Sequence, residues 1–308
     1  MFPYVFLDGT FVALKDSRVG IGVNALHYGT GTFEGIRAFW NGEELAMLAA
    51  REHFQRLHRS ARMLGMPLAF GVDDLVGIAV DLLQRNEVRE DAYLRPLLLA
   101  STETLQVRLH DLEPSLSIAV SPMSLQYINL DGVRCIVSTW RRTPDVALPN
   151  RAKVTGGYIG PALAKSEALL AGADEAILLT IAGHVAEATT SNIFMRVAET
   201  WFTPPVQDDI LEGITRAEMM CILRDDAQQV CERSIDRSEL YAADEIFLCG
   251  TAALVVPVIE VDGRVVGNGT AGETTLHLQR TLLAIARGSN ARYSGWRTPV
   301  PLPSIARR

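Results

Sequence analysis

An apolar stretch interrupted by one polar pair opens the chain and predicts an antiparallel hairpin. Strand-forming residues over 4–14 flank the pair Asp8-Gly9, which suits a tight two-residue turn. Apolar residues then recur at helical spacing over 50–64 and over 72–84. This spacing predicts two amphipathic helices, the first of which ends at a glycine.

Strands and helices alternate less regularly in the rest of the chain. Apolar runs predict strands at 93–100, 116–120, 133–140, 175–180, 192–197, 229–234 and 245–249, helices at 158–170, 215–224, 238–243 and 273–287, and a hairpin turn at Asp262-Gly263. This mixture predicts an α/β (α+β) fold rather than a repeating barrel of strand-helix units. We expect a small N-terminal domain over 1–121, a linker over 122–132 and a larger C-terminal domain over 133–308. Its proline-containing tail after about residue 288 is predicted to be flexible.

The composition limits the classes of protein to which the chain can belong. With 308 residues, 48% of them hydrophobic, the chain can fill the cores of about two domains. The net charge of −7 argues against a general nucleic-acid-binding protein, because such binding needs a basic face. Apolar runs fall short of the roughly 20 residues of a membrane helix, and the N-terminus lacks the pattern of a signal peptide. We therefore expect a soluble, cytoplasmic protein.

The cysteines and histidines do not form a pattern that indicates a metal site. The cysteines are Cys135, Cys221, Cys231 and Cys249, and no two of them form a CxxC pair. They are expected to be free thiols in a reducing compartment. His53 and His58 are five residues apart, which is not the one-turn spacing that directs two imidazoles to one metal.

Only three lysines, Lys15, Lys153 and Lys165, could supply an amine nucleophile, because the other 26 basic residues are arginines. Lys153 lies at the junction of a loop and a helix, shortly before Gly156-Gly157. Glycines allow a flat ligand to approach the backbone, and a partly desolvated lysine can form a Schiff base with an aldehyde. The alternative is an ordinary surface lysine before a helix.

Three further positions could bind an anion or a heterocyclic ring. The helix that begins near Ile214-Thr215 could direct its first amides at a phosphate, or Thr215 could simply cap its own helix. The turn at Gly250-Thr251 could offer further amides. Glu187, between two apolar strands, could keep a pyridine nitrogen protonated or could be a solvated turn residue.

These positions and several short motifs follow one another along the chain in an order that can be compared with known families. The motifs are Asn24 to Gly31, Phe33-Glu34-Gly35-Ile36-Arg37, Arg51 to Leu57, Tyr93 to Pro96, Ser138 to Arg142, Arg151-Ala152-Lys153, Gly156-Gly157-Tyr158, Leu211 to Arg216 and Gly250 to Ala253. In this order the chain resembles the class IV, fold-type IV pyridoxal-phosphate (PLP) aminotransferases, and most closely the branched-chain amino acid aminotransferases. The resemblance covers residues 4–287. It implies a two-domain fold whose C-terminal domain is a mixed α/β pseudo-barrel.

The resemblance also implies a role for each matching residue. Lys153 is expected to form the Schiff base with PLP and to transfer the proton between the substrate Cα and the cofactor C4′. Expected cofactor-binding residues are Arg56, Tyr158, Glu187, Asn192, Ile214, Thr215 and Thr251, and expected substrate-binding residues are Tyr28, Phe33, Arg37, Tyr93, Arg95, Val107, Thr251 and Ala252. The family further implies a homodimer with the active site at the subunit interface.

The chain departs from the family pattern mainly where substrates are selected. Leu254 replaces the usual glutamate after the Gly-Thr-Ala-Ala turn, the loop at 105–107 lacks the usual glycine, and the linker at 123–127 lacks a Trp-Gly-Ala-Tyr run. Arg108 and His110 are similar to a carboxylate-binding pair of D-amino acid aminotransferases, but their offset from Tyr93 does not match that family, so a surface pair is the favoured interpretation.

The expected activity is the transfer of the amino group of an L-amino acid to 2-oxoglutarate. Branched-chain L-amino acids are the favoured donors. The alternatives are a D-amino acid or (R)-amine transaminase of the same fold, a lyase of the aminodeoxychorismate type, and a non-catalytic PLP-binding protein.

Overall fold

The computed structural model describes residues 1–127 and 129–302, and it confirms the predicted mixed α/β class. The strands are β1 (Tyr4–Leu7), β2 (Thr10–Ala13), β3 (Gly31–Phe33), β4 (Ile36–Trp40), β5 (Leu45–Leu48), β6 (Ala92–Ala100), β7 (Pro114–Pro122), β8 (Val133–Arg141), β9 (Glu175–Leu179), β10 (Val185–Ala188), β11 (Asn192–Val197), β12 (Thr200–Thr203), β13 (Gln229–Glu232), β14 (Glu245–Gly250), β15 (Leu254–Val261), β16 (Arg264–Val265) and β17 (Arg297–Val300). The α-helices are α1 (Asn24–Tyr28), α2 (Ala50–Met63), α3 (Val72–Arg85), α4 (Ile159–Leu170), α5 (Ile214–Asp225) and α6 (Glu273–Ala286).

Two compact units, each discontinuous in sequence, make up the described chain. Unit 1 comprises Met1–Tyr127, Ala152–Gly156 and residues 283–302, and unit 2 comprises residues 129–151 and 157–282. The sequence predicted instead an uninterrupted C-terminal domain over 133–308. The difference arises because the segment around Lys153 bridges to β3, and β17 pairs with β5, so both pieces of chain return to unit 1.

The sheet of unit 1 is antiparallel and has the strand order β17-β5-β4-β6-β7-β1-β2, with β3 also paired to β6. The predicted hairpin is present, since Leu7 pairs with Thr10 across a turn at Asp8 and Gly9. Both turn residues have positive φ, 43° and 93°, which is the backbone conformation that a two-residue hairpin turn of this hand requires. The N-terminal pattern therefore predicted both the element and its register.

Helix α2 buries the apolar face that the sequence predicted. Phe54 and Leu57 are fully buried, and a buried side chain of this size contributes about 1.5–3 kcal/mol. The same helix also buries Arg56 and Ser60, which lie one turn apart. Packing of the apolar residues therefore fixes where the guanidinium and the hydroxyl of these two residues lie in unit 1.

The sheet of unit 2 has the strand order β10-β9-β8-β15-β14-β11-β12-β13, with β16 paired to β15. Its pairs β8–β9, β8–β15 and β12–β13 are parallel and the other pairs are antiparallel. Phe194 and Phe247 stack in its core with ring centroids 4.8 Å apart, and Trp201 lies 5.1 Å from Phe247. These aromatic contacts fix β11 against β14, next to the loops that carry the polar residues described below.

The C-terminal segment differs from the predicted flexible tail. Residues Ala291–Trp296 form a 3₁₀ helix, and Arg297–Val300 then pairs with β5 at the edge of the sheet of unit 1. Proline is tolerated in an edge strand because its missing N–H can face away from the ladder, and Pro299 occupies such a strand. The last part of the predicted tail, residues 303–308, lies outside the described residues. None of the helices in the described ranges is long and apolar enough to cross a membrane.

Candidate active site

The backbone of Lys153 is held from two sides within unit 1. Its carbonyl accepts hydrogen bonds from the Phe33 N–H at 3.1 Å and from the Thr32 hydroxyl at 2.9 Å. Its N–H donates to the Ser60 hydroxyl on α2 at 3.0 Å. Strand β3 and helix α2 together therefore determine where the lysine side chain starts.

The glycines around this segment allow two stretches of backbone to touch. Gly29 has φ +64°, and a Cβ placed on it would lie 2.7 Å from the Cα of Gly156. The Gly156 N–H and the Thr155 hydroxyl both donate to the Gly29 carbonyl, at 3.1 and 2.6 Å. Packing against Gly156 thus requires a glycine at position 29, and a Cβ on Gly156 would lie only 3.2 Å from the Gly29 carbonyl oxygen.

Three predicted substrate-binding residues, Phe33, Arg95 and Tyr93, form a chain of contacts that begins at the Lys153 amine. Its Nζ lies 4.9 Å from the centre of the Phe33 ring, and the Arg95 guanidinium carbon lies 4.7 Å from the same ring. Arg95 Nη2 also donates to the Tyr93 hydroxyl at 3.2 Å. An amine, an aromatic surface and an exposed cation are therefore neighbours, an arrangement suited to an anionic substrate with an apolar part.

Arg56, expected to bind phosphate, belongs to a buried cluster that the sequence analysis did not anticipate. Its Nε and Nη2 donate to the two carboxylate oxygens of Glu34 at 2.6 and 2.8 Å. His53 Nδ1 lies 2.7 Å from Oε2 of the same carboxylate. Glu34, His53 and Arg56 have exposed fractions of 0%, 2% and 4%. We call these three residues the Glu34 cluster.

The charges of the Glu34 cluster follow from its burial and its contacts. Burial alone would raise the pKa of Glu34, but the charge of Arg56 and the hydrogen bonds from Arg56 and His53 hold this pKa far below its ordinary value. Burial lowers the pKa of His53, and the nearby Glu34 only partly opposes this effect. At neutral pH the cluster therefore contains one carboxylate, one guanidinium and a neutral imidazole.

Arg37 does not lie where the sequence predicted a substrate contact. Its side chain is completely buried, its Nη2 donates to the Met123 carbonyl at 2.7 Å, and its guanidinium lies 4.8 Å from the Phe39 ring. A substrate carboxylate could reach it only after a rearrangement. Arg95, which is exposed, is better placed for that role.

Tyr28 and Val107 lie on an exposed part of unit 1. The Tyr28 hydroxyl donates to the Leu105 carbonyl at 2.6 Å, and the Asn24 amide donates to the Gln106 carbonyl at 2.9 Å. These bonds tie helix α1 to the loop that carries Val107, whose side chain is 80% exposed. Both predicted residues are thus fixed in space but largely uncovered.

In unit 2, Glu187 is the centre of a second polar cluster. Its Oε1 lies 3.0 Å from Arg142 Nη2, and its Oε2 accepts from the Asn192 amide and the Leu211 N–H, each at 3.1 Å. The Asn192 amide also donates to the Leu211 carbonyl at 3.0 Å. We call Arg142, Glu187, Asn192 and Leu211 the Glu187 cluster. Glu187 and Asn192 were predicted as cofactor-binding residues, whereas the sequence indicated no role for Arg142.

The Glu187 cluster is joined directly to the start of α5. Gly213 is the residue before this helix, and a Cβ placed on it would overlap the amide oxygen of Asn192. Ile214 and the buried Thr215 form the first turn, so their amides are available at the positive end of the helix dipole. The helix therefore begins where the sequence predicted, with Asn192 packed against its first residue, and anion binding by its amides stays a prediction.

The remaining predicted residues of unit 2 lie in short connections. Tyr158 immediately precedes α4, and Thr251 and Ala252 form the turn between β14 and β15. Leu254 follows this turn with φ +59° and is buried.

No group of metal-ligating side chains was found among the described residues. All four cysteines are free, and burial raises the pKa of the Cys135 and Cys249 thiols, which leaves these two protonated at neutral pH.

Comparison with known proteins identifies similar chains over almost the whole length. The family model for class IV amino-transferases matches residues 31–261. A probable branched-chain-amino-acid aminotransferase of Aquifex aeolicus (strain VF5) is 44% identical over 300 residues, which cover 96% of this chain and 96% of that protein. The crystal structure of a branched-chain aminotransferase from Thermoproteus uzoniensis with norvaline has a TM-score of 0.94 at 39% identity and covers 98% of this chain and 100% of its own. The T.th. branched-chain amino acid aminotransferase complexed with N-(5'-phosphopyridoxyl)-L-glutamate has a TM-score of 0.92 at 35% identity, with 98% and 99% coverage. The predicted resemblance is confirmed.

Proposed function

We propose substrates and residue roles for this chain, which belongs to the class IV aminotransferases. Enzymes of this family are PLP-dependent transaminases, so the predicted activity class and cofactor are confirmed. We propose that the preferred amino donors are branched-chain L-amino acids and that 2-oxoglutarate accepts the amino group. The observation that carries this proposal is the grouping of Lys153, Phe33, Tyr93 and Arg95 in unit 1.

The residues present fit PLP by their chemistry. The cofactor needs an amine for its aldehyde, cations and amides for its phosphate, and a carboxylate for its ring nitrogen. Lys153 is a half-buried amine, whereas Lys165 Nζ is bound to the Glu175 carboxylate at 2.9 Å. Proposed ligands are Lys153 for the aldehyde carbon, Tyr158 for the 3-oxygen, Glu187, held by Asn192, for the ring nitrogen, and Arg56, Ile214, Thr215 and Thr251 for the phosphate.

When bound, PLP withdraws electrons from the amino acid and makes its Cα proton acidic. Lys153 Nζ is the proposed base that takes this proton from Cα. Because β3 and α2 fix its backbone, only the torsions of its side chain remain to be ordered for the transfer. The Phe33 ring beside Nζ excludes water from one side of the amine.

The environment of Glu187 suits a carboxylate that must stay ionised opposite a ring nitrogen. Arg142 supplies a positive charge to one oxygen, while Asn192 and the Leu211 N–H occupy the other. These donors stabilise the anion and fix its orientation. Glu187 would thereby keep a proton at the ring nitrogen.

The substrate proposal combines the local geometry with the names of the relatives. Phe33 and Tyr93 offer an apolar surface for a branched side chain, which an aromatic wall favours by about 1–3 kcal/mol per methylene. Arg95 is the proposed partner for the second carboxylate of glutamate, in place of the buried Arg37. The bound norvaline and phosphopyridoxyl-glutamate in the two similar crystal structures support an apolar amino acid and glutamate as the two kinds of substrate.

The geometry does not favour the D-amino acid alternative. Arg108 and His110 each lie 4.0 Å from the Asp111 carboxylate in a surface turn, and His110 is largely exposed. Both cations face the Asp111 carboxylate, which would compete with a substrate carboxylate for them.

We also propose a cytoplasmic homodimer whose partner subunit completes the substrate pocket. Exposed apolar side chains surround the surface that carries Tyr28 and Val107, among them Ile21 at 84% and Leu105 at 66%. Such a group of exposed apolar residues is characteristic of a surface covered by a partner. Sedimentation should give twice the chain mass, and Val107→Asp should shift it toward the monomer.

A panel of half-reactions tests the substrate proposal. Purified holoenzyme is mixed separately with L-leucine, L-glutamate, L-alanine, D-alanine and (R)-1-phenylethylamine, and the loss of cofactor absorbance is followed. L-leucine should exceed L-alanine by roughly tenfold or more in kcat/KM, and L-glutamate should react as well. Faster bleaching by D-alanine or the (R)-amine would show that the enzyme belongs to the alternative substrate class.

A further inference from the structure

We propose that Glu34 is a positioning residue for the cofactor phosphate. It holds the guanidinium of Arg56 at a fixed place relative to Lys153, so that the aldehyde and phosphate ends of PLP are matched to their ligands. This inference rests on the proposed function, because it takes Arg56 as a phosphate ligand and Lys153 as the aldehyde ligand.

The contacts of Glu34 leave the Arg56 guanidinium little freedom. Arg56 donates from Nε and Nη2 to the two oxygens of the Glu34 carboxylate, and such a bidentate pair fixes both the position and the plane of the guanidinium. His53, on the same helix one turn earlier, contacts the same carboxylate at 2.7 Å. Glu34 therefore fixes the orientation of Arg56 from outside the helix that carries it.

The same carboxylate joins the two elements that hold Lys153. Glu34 directly follows Phe33, whose N–H donates to the Lys153 carbonyl. Ser60, one turn after Arg56 on α2, accepts the Lys153 N–H. The Glu34–Arg56 pair therefore links the end of β3 to α2, and both of these elements hydrogen-bond to the Lys153 backbone. Without this pair, the distance between the Lys153 amine and the Arg56 guanidinium would no longer be fixed.

Removal of the Glu34 charge has two opposing effects on phosphate binding. It removes an anion near the phosphate, which favours binding, but it also leaves a buried guanidinium without its counter-ion. A buried guanidinium without a counter-ion is unstable, so in the free enzyme Arg56 turns toward solvent or another acceptor, and phosphate binding must first bring it back. We therefore expect weaker binding of PLP.

The test compares PLP with pyridoxal, which lacks the phosphate. Wild type, Glu34→Gln, Arg56→Ala and the double variant are purified as holoenzymes, resolved, and titrated with each compound. Glu34→Gln should raise the Kd of PLP by roughly tenfold and change that of pyridoxal by less than about twofold. The double variant should bind PLP no worse than Arg56→Ala, because Glu34 acts only through Arg56.

Two further variants separate positioning from a general loss of stability. Glu34→Asp keeps the charge, but its side chain is one methylene shorter, so its carboxylate no longer reaches both Arg56 nitrogens and it should show a smaller loss of the same kind. Asp91→Asn breaks the ion pair with Arg287, whose Nη2 lies 2.7 Å from Asp91 Oδ2, in the same unit. This control should leave the ratio of the two Kd values unchanged.

Three results would overturn the inference in distinguishable ways. Equal weakening of PLP and pyridoxal in Glu34→Gln would show a merely structural role. Unchanged or tighter PLP binding in Glu34→Gln, with weaker binding in Arg56→Ala, would refute the positioning role alone. Unchanged PLP binding in Arg56→Ala would remove Arg56 from the phosphate site and refute that part of the proposed function as well.

Discussion

Gly213 is expected to tolerate no side chain, because the amide of Asn192 occupies the space where a Cβ would lie. The φ of Gly213 is −70°, so Gly213→Ala introduces no backbone strain of its own. The new Cβ would overlap the Asn192 amide oxygen and lie 3.1 Å from the Cβ of Arg216. Since the helix start cannot yield without losing its first turn, Asn192 is the side chain that must move.

The size of the effect follows from the two hydrogen bonds that Asn192 would lose. Its bond to the Glu187 carboxylate at 3.1 Å is charge-assisted and contributes about 1.5–3 kcal/mol. Its bond to the Leu211 carbonyl at 3.0 Å contributes about 0.5–1.5 kcal/mol. We expect Gly213→Ala to lower the free energy of unfolding by about 2–4 kcal/mol and to weaken PLP binding by at least roughly tenfold.

Urea unfolding of the apoenzyme and titration with PLP measure the two quantities. Gly77→Ala, in α3, is the matched control, because a Cβ there meets no atom within 4 Å and should stabilise the helix by about 0.5–1 kcal/mol. Asn192→Ala should remove the overlap, so the double variant with Gly213→Ala should be no less stable than Asn192→Ala alone. Wild-type stability and PLP affinity in Gly213→Ala would refute the reasoning.

Three further predictions concern unit 1. Burial lowers the pKa of His53 below its ordinary value of 6.5, so the unfolded chain binds an extra proton and the free energy of unfolding of the wild type falls as the pH drops below that value. His53→Gln should therefore reduce the slope of the free energy of unfolding against pH, and equal slopes over roughly pH 5 to 7.5 would contradict this. Gly29→Ala should be more destabilising than Gly65→Ala by about 1–3 kcal/mol in urea unfolding, because the two glycines have nearly equal φ, +64° and +67°, but only a Cβ on Gly29 would meet another backbone. Arg95→Met should reduce kcat/KM for L-glutamate by roughly ten- to a hundredfold and that for L-leucine by less than about threefold, and an equal loss for both would remove Arg95 from carboxylate recognition.

The sequence was sufficient where structure depends on neighbouring residues. The Asp8-Gly9 turn, the two helices after β5 and the turn at Asp262-Gly263 were all predicted, because their signals lie within a few residues. Strands β3, β4, β5 and β17 were not predicted. They are three to five residues long, and β17 finds its partner β5 about 250 residues earlier in the chain, so neither periodicity nor local turns indicate them.

The same distinction holds for the candidate site. Residue types that carry chemistry, such as Lys153 and Glu187, could be selected from the sequence and its family resemblance. Their partners could not, since Arg142 reaches Glu187 and Glu34 reaches Arg56 only through the fold. One signal was present, because Glu34 is an acidic residue within an apolar run, and a buried carboxylate requires a cation.

Borohydride reduction of the holoenzyme, followed by peptide mass mapping, shows whether Lys153 carries the cofactor. The chain has only three lysines, so the modified position can be assigned without ambiguity. The account predicts one reduced PLP adduct on the peptide that contains Lys153, retained in Lys165→Arg and absent in Lys153→Ala. An adduct on Lys15 or Lys165 in the wild type, or an adduct that survives Lys153→Ala, would contradict it.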